Sequence, residues 1–118
     1  MNKDDALQQM AACRELIDEL DRKLVQLLNE RTRVVEQLGL IKEKMDMPVY
    51  EPRREDEVYR NVVSSNHGPL PPEAMKRLFE RIVDEMRTVQ NINRRKRQQA
   101  AEAKTSESDK GSRKEEAN

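Results

Sequence analysis

Residues 14–42 read RELIDELDRKLVQLLNERTRVVEQLGLIK, and the placing of their apolar side chains decides the fold. Leu16/Ile17, Leu20, Leu24, Leu27/Leu28, Val34/Val35, Leu38 and Ile41 recur at the three- and four-residue steps of one helix face. Between Asp5 and Met45 there is no proline, and Gly39 is the only glycine. The spacing therefore predicts one unbroken helix over this stretch. At about 1.5 Å per residue such a helix reaches roughly 60 Å, well past the width of a small domain, so its far end needs a cover. The same helix from a second copy, running antiparallel, with shorter helices of both chains packed along the pair, supplies one.

Downstream, Pro48 stops the first helix, and Met47-Pro48-Val49-Tyr50-Glu51 reads as an extended loop. Pro52 suits a first helical position behind a Glu51 cap, opening a short second helix with Val58, Tyr59, Val62 and Val63 on one side and Gly68 placed to close it. After the stiff Pro69-Leu70-Pro71-Pro72 connector, Met75, Leu78, Phe79, Ile82, Val83, Met86 and Val89 fall on one arc of a third helix. That periodicity ends near Arg97, and beyond Ala103 disorder is expected. The fold class that follows is all-α, three helices per chain, one long and two shorter. Residues 1–97 form a helical domain and residues 98–118 a charged, disordered tail.

The composition points the same way. Of 118 residues 39% are charged and 3% aromatic, with no Trp, which suits long exposed helices better than a sheet-based globule. Chains this small with so little apolar material reach stability by pairing with copies of themselves, so a homo-oligomer is expected. Net charge is zero. The basic run Arg94 to Arg97 has no interleaved aromatic residues, which disfavours nucleic acid as a partner and reads as a solvated helix end. Cys13 is the only cysteine, so no internal disulfide forms, and its neighbours Ala11, Ala12 and Leu16 make it a small packing residue. The amino end lacks a secretion signal and no stretch is long enough to span a bilayer, so a cytoplasmic protein with no membrane partner is expected.

Some charges lie where apolar residues belong. With Leu24 at the centre of the stripe, Arg31 and Lys42 fall within about 40° of it. Unpaired buried charge is costly, so each needs a negative partner. Either they pair with carboxylates from other helices, Glu55, Asp56 or Glu85, or the stripe opens there into a pocket for an anionic ligand, Arg31 supplying a bidentate fork and Lys42 a point charge. Arg14 lies about 80° from the stripe and roughly 25 Å from Arg31 along the axis. It is an exposed partner for Asp18, or it reaches the pocket of a second, antiparallel chain. On the second helix Arg53, Asp56 and Glu57 read as a solvated face, whereas Arg54 and Glu55 precede Val58 and Val62 by helical spacings and can point inward. Gln90 lies inside the third helix's apolar arc, as a ligand contact or a satisfied core amide.

The pattern Arg14-Glu15-x-Ile17-Asp18-x-Leu20-Asp21-x-x-Leu24-x-x-Leu27-Leu28-x-x-Arg31, then Gly39-x-x-Lys42, Pro48-Val49, Arg54-Glu55 and Leu78-Phe79-x-x-Ile82 before Gln90, resembles the all-α chorismate mutase family over about residues 7–92. The resemblance implies an intertwined helical homodimer of three-helix chains with two equivalent sites, in which the residue matching Arg14 crosses from the partner. It implies that Arg31 holds a substrate carboxylate, that Lys42 contacts a carboxylate and the ether oxygen, and that Gln90 donates to that oxygen. Arg54 would stand near the site, and Glu55 would accept a hydrogen bond from the ring hydroxyl. Glu51, also expected among the substrate-binding residues, stands where the best-known form has aspartate, and Met86 where it has serine, so a polar contact is missing at the latter.

The implied reaction is the intramolecular rearrangement of chorismate to prephenate in phenylalanine and tyrosine biosynthesis, an isomerase activity that uses no metal and no cofactor. Two other readings stand beside it. An isochorismate-pyruvate lyase of the same fold has a similar cationic frame, against which Glu55 argues. A non-enzymatic helical dimerisation module would use Arg31 and Lys42 merely to pair with acids.

Overall fold

A computed structural model describes residues 1–116, with side chains through residue 108. It contains α1 (Lys3–Lys44), α2 (Pro52–Ser65) and α3 (Pro72–Glu116), and no strand among the described residues. The chain divides into two compact units, Met1–Val34 and Val35–Asn118.

The first unit is the larger part of α1. Asn2 caps it, its side-chain oxygen accepting the Asp5 N–H at 2.8 Å, and Asp4 and Asp5 stand in the first turn, where negative charge suits the positive end of the helix dipole. Leu16, Ile17, Leu20, Leu24 and Leu27 are each more than half exposed. Cys13, read as a packing residue, is exposed as well, because no other helix of its unit is there to pack against it.

In the second unit, α1 ends in a tight reversal. The Met47 N–H donates to the Lys42 carbonyl at 2.8 Å and the Asp46 N–H to the Glu43 carbonyl at 3.1 Å, which closes the last turn as a Schellman motif. Asp46 occupies the left-handed position, φ 52°, where glycine is the commoner choice. Glu51 precedes α2 without capping it through its side chain, and Pro52 opens the helix. Val58, Tyr59, Val62 and Val63 are half-buried on a helix that packs against α3. There Val83 and Met86 are the buried apolar side chains, flanked by half-buried Phe79, Ile82 and Val89. Asn66 ends α2 and shapes the turn that follows, accepting the Gly68 N–H at 3.1 Å and donating to the Leu70 carbonyl at 2.8 Å.

α3 departs from expectation in length: at 45 residues it exceeds the 42 of α1, so it is not a shorter helix. Apolar periodicity stops near Arg97, yet residues 98–108 are mostly Gln, Ala, Glu, Lys and Ser, with no Gly or Pro. Most of these have good helix propensity, and a helix already nucleated by packing extends through such a stretch without burying a face. Its side chains there are exposed. The last two residues of the expected tail, 117–118, lie outside the described residues. The basic cluster also differs from a solvated helix end. Arg94 Nη1 donates to the Met47 carbonyl at 2.9 Å, Arg97 Nε donates to the Glu43 carboxylate, and both are half-buried, while Arg95 and Lys96 are exposed.

Candidate active site

Lys42 is the buried charge among the described residues of the second unit, 5% exposed. It stands in the last turn of α1, and the reversal after it carries the chain back past its ammonium. Nζ donates to the Val49 carbonyl at 3.0 Å and lies 3.6 Å from the Glu51 carboxylate. Glu51 thus sits at the start of α2 with its carboxylate turned to Lys42 instead of to the helix's own N–H groups. An ammonium has three donors; the Val49 carbonyl takes one, and Glu51 balances the charge at ion-pair distance without a hydrogen bond. None of the three acids considered from sequence is its partner: Glu55 is held by Arg87, Glu85 pairs with Arg81 at 2.8 Å, and Asp56 is exposed.

Gln90 meets α1 from the other side of the same seam. A Cβ added at Gly39 would stand 3.6 Å from Gln90 Cγ and 3.8 Å from its Oε1, so the amide lies beside the α1 backbone with room for a methyl group and little more. Gly39 is one turn before Lys42, and the Gly39–Gln90 contact and the Glu43–Arg97 pair bracket Lys42 on α1 and Arg94 on α3. Gln90 Oε1, Arg94 Nε and Arg94 Nη2 are buried and hydrogen-bond to nothing among the described residues. Each such atom costs about 1–3 kcal/mol, so the seam holds polar capacity that the packing of the chain does not use.

Glu55 faces a second seam, between α2 and α3. Arg87 Nε donates to Oε2 at 2.9 Å and Nη2 to Oε1, a bidentate pair with the carboxylate 18% and the arginine 29% exposed. The same Nη2 donates to Asp84 at 3.0 Å, and the guanidinium carbon lies 5.0 Å from the centre of the Tyr50 ring. The hydrogen bond from Arg87 to Glu55 is the main reason the guanidinium pKa is raised. The sequence reading missed Arg87 and Tyr50. The available signal was that Phe79, Val83 and Arg87 stand four residues apart, so a cation continues an apolar row.

The other expected site residues are Arg54, Arg14 and Arg31. Arg54 is exposed, its Nη1 donating to Glu57 at 2.6 Å. Arg14 and Arg31 belong to the first unit: Arg14 is exposed among Met10, Cys13 and Ile17, and Arg31 is half-buried. The structure thus brings Lys42, Glu51 and Gln90 to one seam, sets Glu55 on another, and leaves Arg54 outside both. A groove of about 420 Å³, lined by Asp56, Tyr59, Arg60, Val63, Ser64 and Lys76, carries none of the expected site residues. Among the described residues no cluster of His, Cys, Asp or Glu could hold a metal ion, and no helix is long and apolar enough to cross a membrane.

Residues 13–91 match the family model described as chorismate mutase type II. The chain is 30% identical over 81 residues to a bifunctional chorismate mutase/prephenate dehydratase of Aquifex aeolicus, covering 65% of this chain and 22% of that protein. It is 38% identical over 77 residues to a protein of the same description from Neisseria gonorrhoeae, covering 65% and 21%. The chain therefore spans about a fifth of the length of these curated relatives. Among solved structures, chorismate mutase form II from Thermus thermophilus superposes with a TM-score of 0.69 at 30% identity, over 70% of this chain and 94% of that one. With the family model covering more than half of its length and the three-helix architecture shared, this chain belongs to the type II chorismate mutase family.

Proposed function

We propose that this chain converts chorismate to prephenate by an intramolecular rearrangement, as a homodimer. The observation that carries the reading is Lys42, an ammonium 5% exposed on the seam that also holds Gln90, in a chain of this family. Chorismate is a dianion with a flexible enolpyruvyl arm, and the chemical step asks for its compact form with the reacting carbons close together. As the C–O bond breaks, negative charge gathers on the ether oxygen. Donors already aimed there stabilise the transition state more than the bound substrate. Lys42 and Gln90 are those donors. Arg31 grips one carboxylate, Arg14 of the second copy the other, and Arg54 adds positive charge nearby. Glu51 steadies Lys42 at the edge of the site, and Glu55 accepts the ring hydroxyl.

The dimer is supported by the first unit, whose exposed Leu16, Ile17, Leu20, Leu24 and Leu27 form an apolar face of a kind that soluble chains cover. A second copy running antiparallel covers it and brings Arg14 across. Residues 1–97 are the catalytic domain in this reading, the rest is a tail, and the lone Cys13 suits the cytoplasm. The deciding experiment follows chorismate absorbance with purified protein, whole and ending at Arg97, while assaying prephenate and pyruvate. Prephenate should form with both proteins. No loss of chorismate overturns the reading, and pyruvate release in place of prephenate assigns a lyase.

A further inference from the structure

We infer that Arg87 is a positioning residue: its two-pronged hold on Glu55 fixes the carboxylate so that one acceptor direction on each oxygen stays open to the substrate's ring hydroxyl. The inference rests on the proposed mutase reaction and on the role given there to Glu55.

The geometry supplies the hold of Arg87 on Glu55. Glu55 stands in the first turn of α2, and a glutamate on a helix surface ordinarily samples many rotamers. Here Nε and Nη2 of Arg87, which form one edge of the planar guanidinium, each donate to a different carboxylate oxygen. That bidentate arrangement fixes the plane of the carboxylate as well as its position. An ionised carboxylate has about four acceptor sites, two on each oxygen, and Arg87 takes one on each. What remains is an acceptor with no donor of its own, suited to a hydroxyl and unsuited to a second carbonyl or carboxylate.

The arginine is itself held from two sides. The second proton of Nη2 goes to Asp84, one turn earlier on α3, at 3.0 Å, which ties the guanidinium to its own helix as well as to Glu55. Tyr50 covers it, ring centre to Cζ 5.0 Å, and Tyr50 is the residue before Glu51, the carboxylate beside Lys42. Arg87 thereby links α3 to the loop before α2 and to its first turn. Orienting Glu55 before substrate arrives removes a freedom that binding would otherwise have to freeze.

The test is a double-mutant cycle on chorismate turnover in the whole chain, with Arg87→Met, Glu55→Gln and the pair, alongside Arg87→Lys and Asp84→Asn. Arg87→Met should lower kcat/KM on the order of 10- to 100-fold, and Arg87→Lys, which keeps the charge but not the fork, should recover part of it. In the Glu55→Gln background the Arg87→Met change should cost less than about twofold more, because the residue it acts through is gone. Asp84→Asn, which weakens one of the two holds on the same arginine, should lower kcat/KM less than Arg87→Met does, and leave it unchanged in the Glu55→Gln background. Losses that simply multiply in the double variant overturn the inference, as does wild-type kcat/KM in Arg87→Met or Glu55→Gln. If Arg87→Met does not fold, the same cycle run with Arg87→Lys decides. A wild-type protein that leaves chorismate intact is a different failure, that of the mutase reading itself.

Discussion

Lys42 Nζ and Glu51 Oε1 stand 3.6 Å apart across the reversal that ends α1, and the lysine is buried while the glutamate is one-third exposed. Removing the side chain leaves Glu51 within reach of water and unpairs the Val49 carbonyl, a loss confined to the reversal. Lys42→Ala should keep its far-UV circular dichroism and lower kcat about 100- to 1000-fold, the loss found when one donor to a developing oxyanion is removed. Near-normal turnover in that variant contradicts the role given to Lys42.

Gly39 tests the seam from the helix side. A Cβ there meets Gln90 at 3.6 Å, an ordinary contact, and alanine is a better helix former by about 1 kcal/mol. Gly39→Ala should therefore raise the melting temperature and retain activity. Gly39→Leu reaches into the space of the Gln90 amide and should depress turnover well beyond any change in stability. If the leucine variant works as well as the alanine one, the Gln90 amide is not held at this place.

Asp46 carries a left-handed backbone, φ 52°. A side chain in that region is disfavoured by roughly 1–2 kcal/mol, less for aspartate. Asp46→Gly should stabilise the protein by about 0.5–1 kcal/mol in urea titration, with the Schellman bonds of the Met47 and Asp46 N–H groups retained. A destabilised glycine variant means that the aspartate side chain contributes more than its backbone strain takes away.

Tyr59 gives a pH signature. Burial, reinforced by the charges of Glu55, Asp84 and Glu80 and opposed by Arg87, raises its phenol above the ordinary 10.0. The folded state holds that proton more tightly than the unfolded chain. The associated stability is therefore complete below about pH 10 and is lost as pH climbs through the folded value. Wild-type melting temperature should drop beyond that point more steeply than that of Tyr59→Phe. Parallel alkaline profiles place the drop in other groups.

Much of this was legible in the residues because each helix announces itself by a different kind of mark. Pro48, Pro52 and Pro72 set boundaries that proline's fixed φ and missing N–H impose in any context, and α2 and α3 start at the latter two. The end of α3 left no comparable mark, since exposed Ala, Glu and Lys continue a helix without an apolar pattern to betray it. Among the charges, periodicity put Lys42 on the apolar face of α1; its burial comes from the chain that folds back past it, since Leu24 on the same face is exposed. Periodicity did not identify the partner, because Glu51 reaches Lys42 only through the backbone reversal, whose shape depends on Asp46. Arg87 and Glu55 lie 32 residues apart, and nothing local to either implies the other.

Arg94 holds the Met47 carbonyl and Arg97 the Glu43 carboxylate, so neighbouring turns of one helix clasp the hairpin bend on either side of its apex. A bend gripped twice in this way travels with the helix that grips it. Sliding or rotating α3 by a fraction of a turn would drag residues 43–47 along and, four residues later, the acid that faces the buried ammonium. The place of that acid is thus tied to the third helix well beyond Gln90, through Arg94 and Arg97.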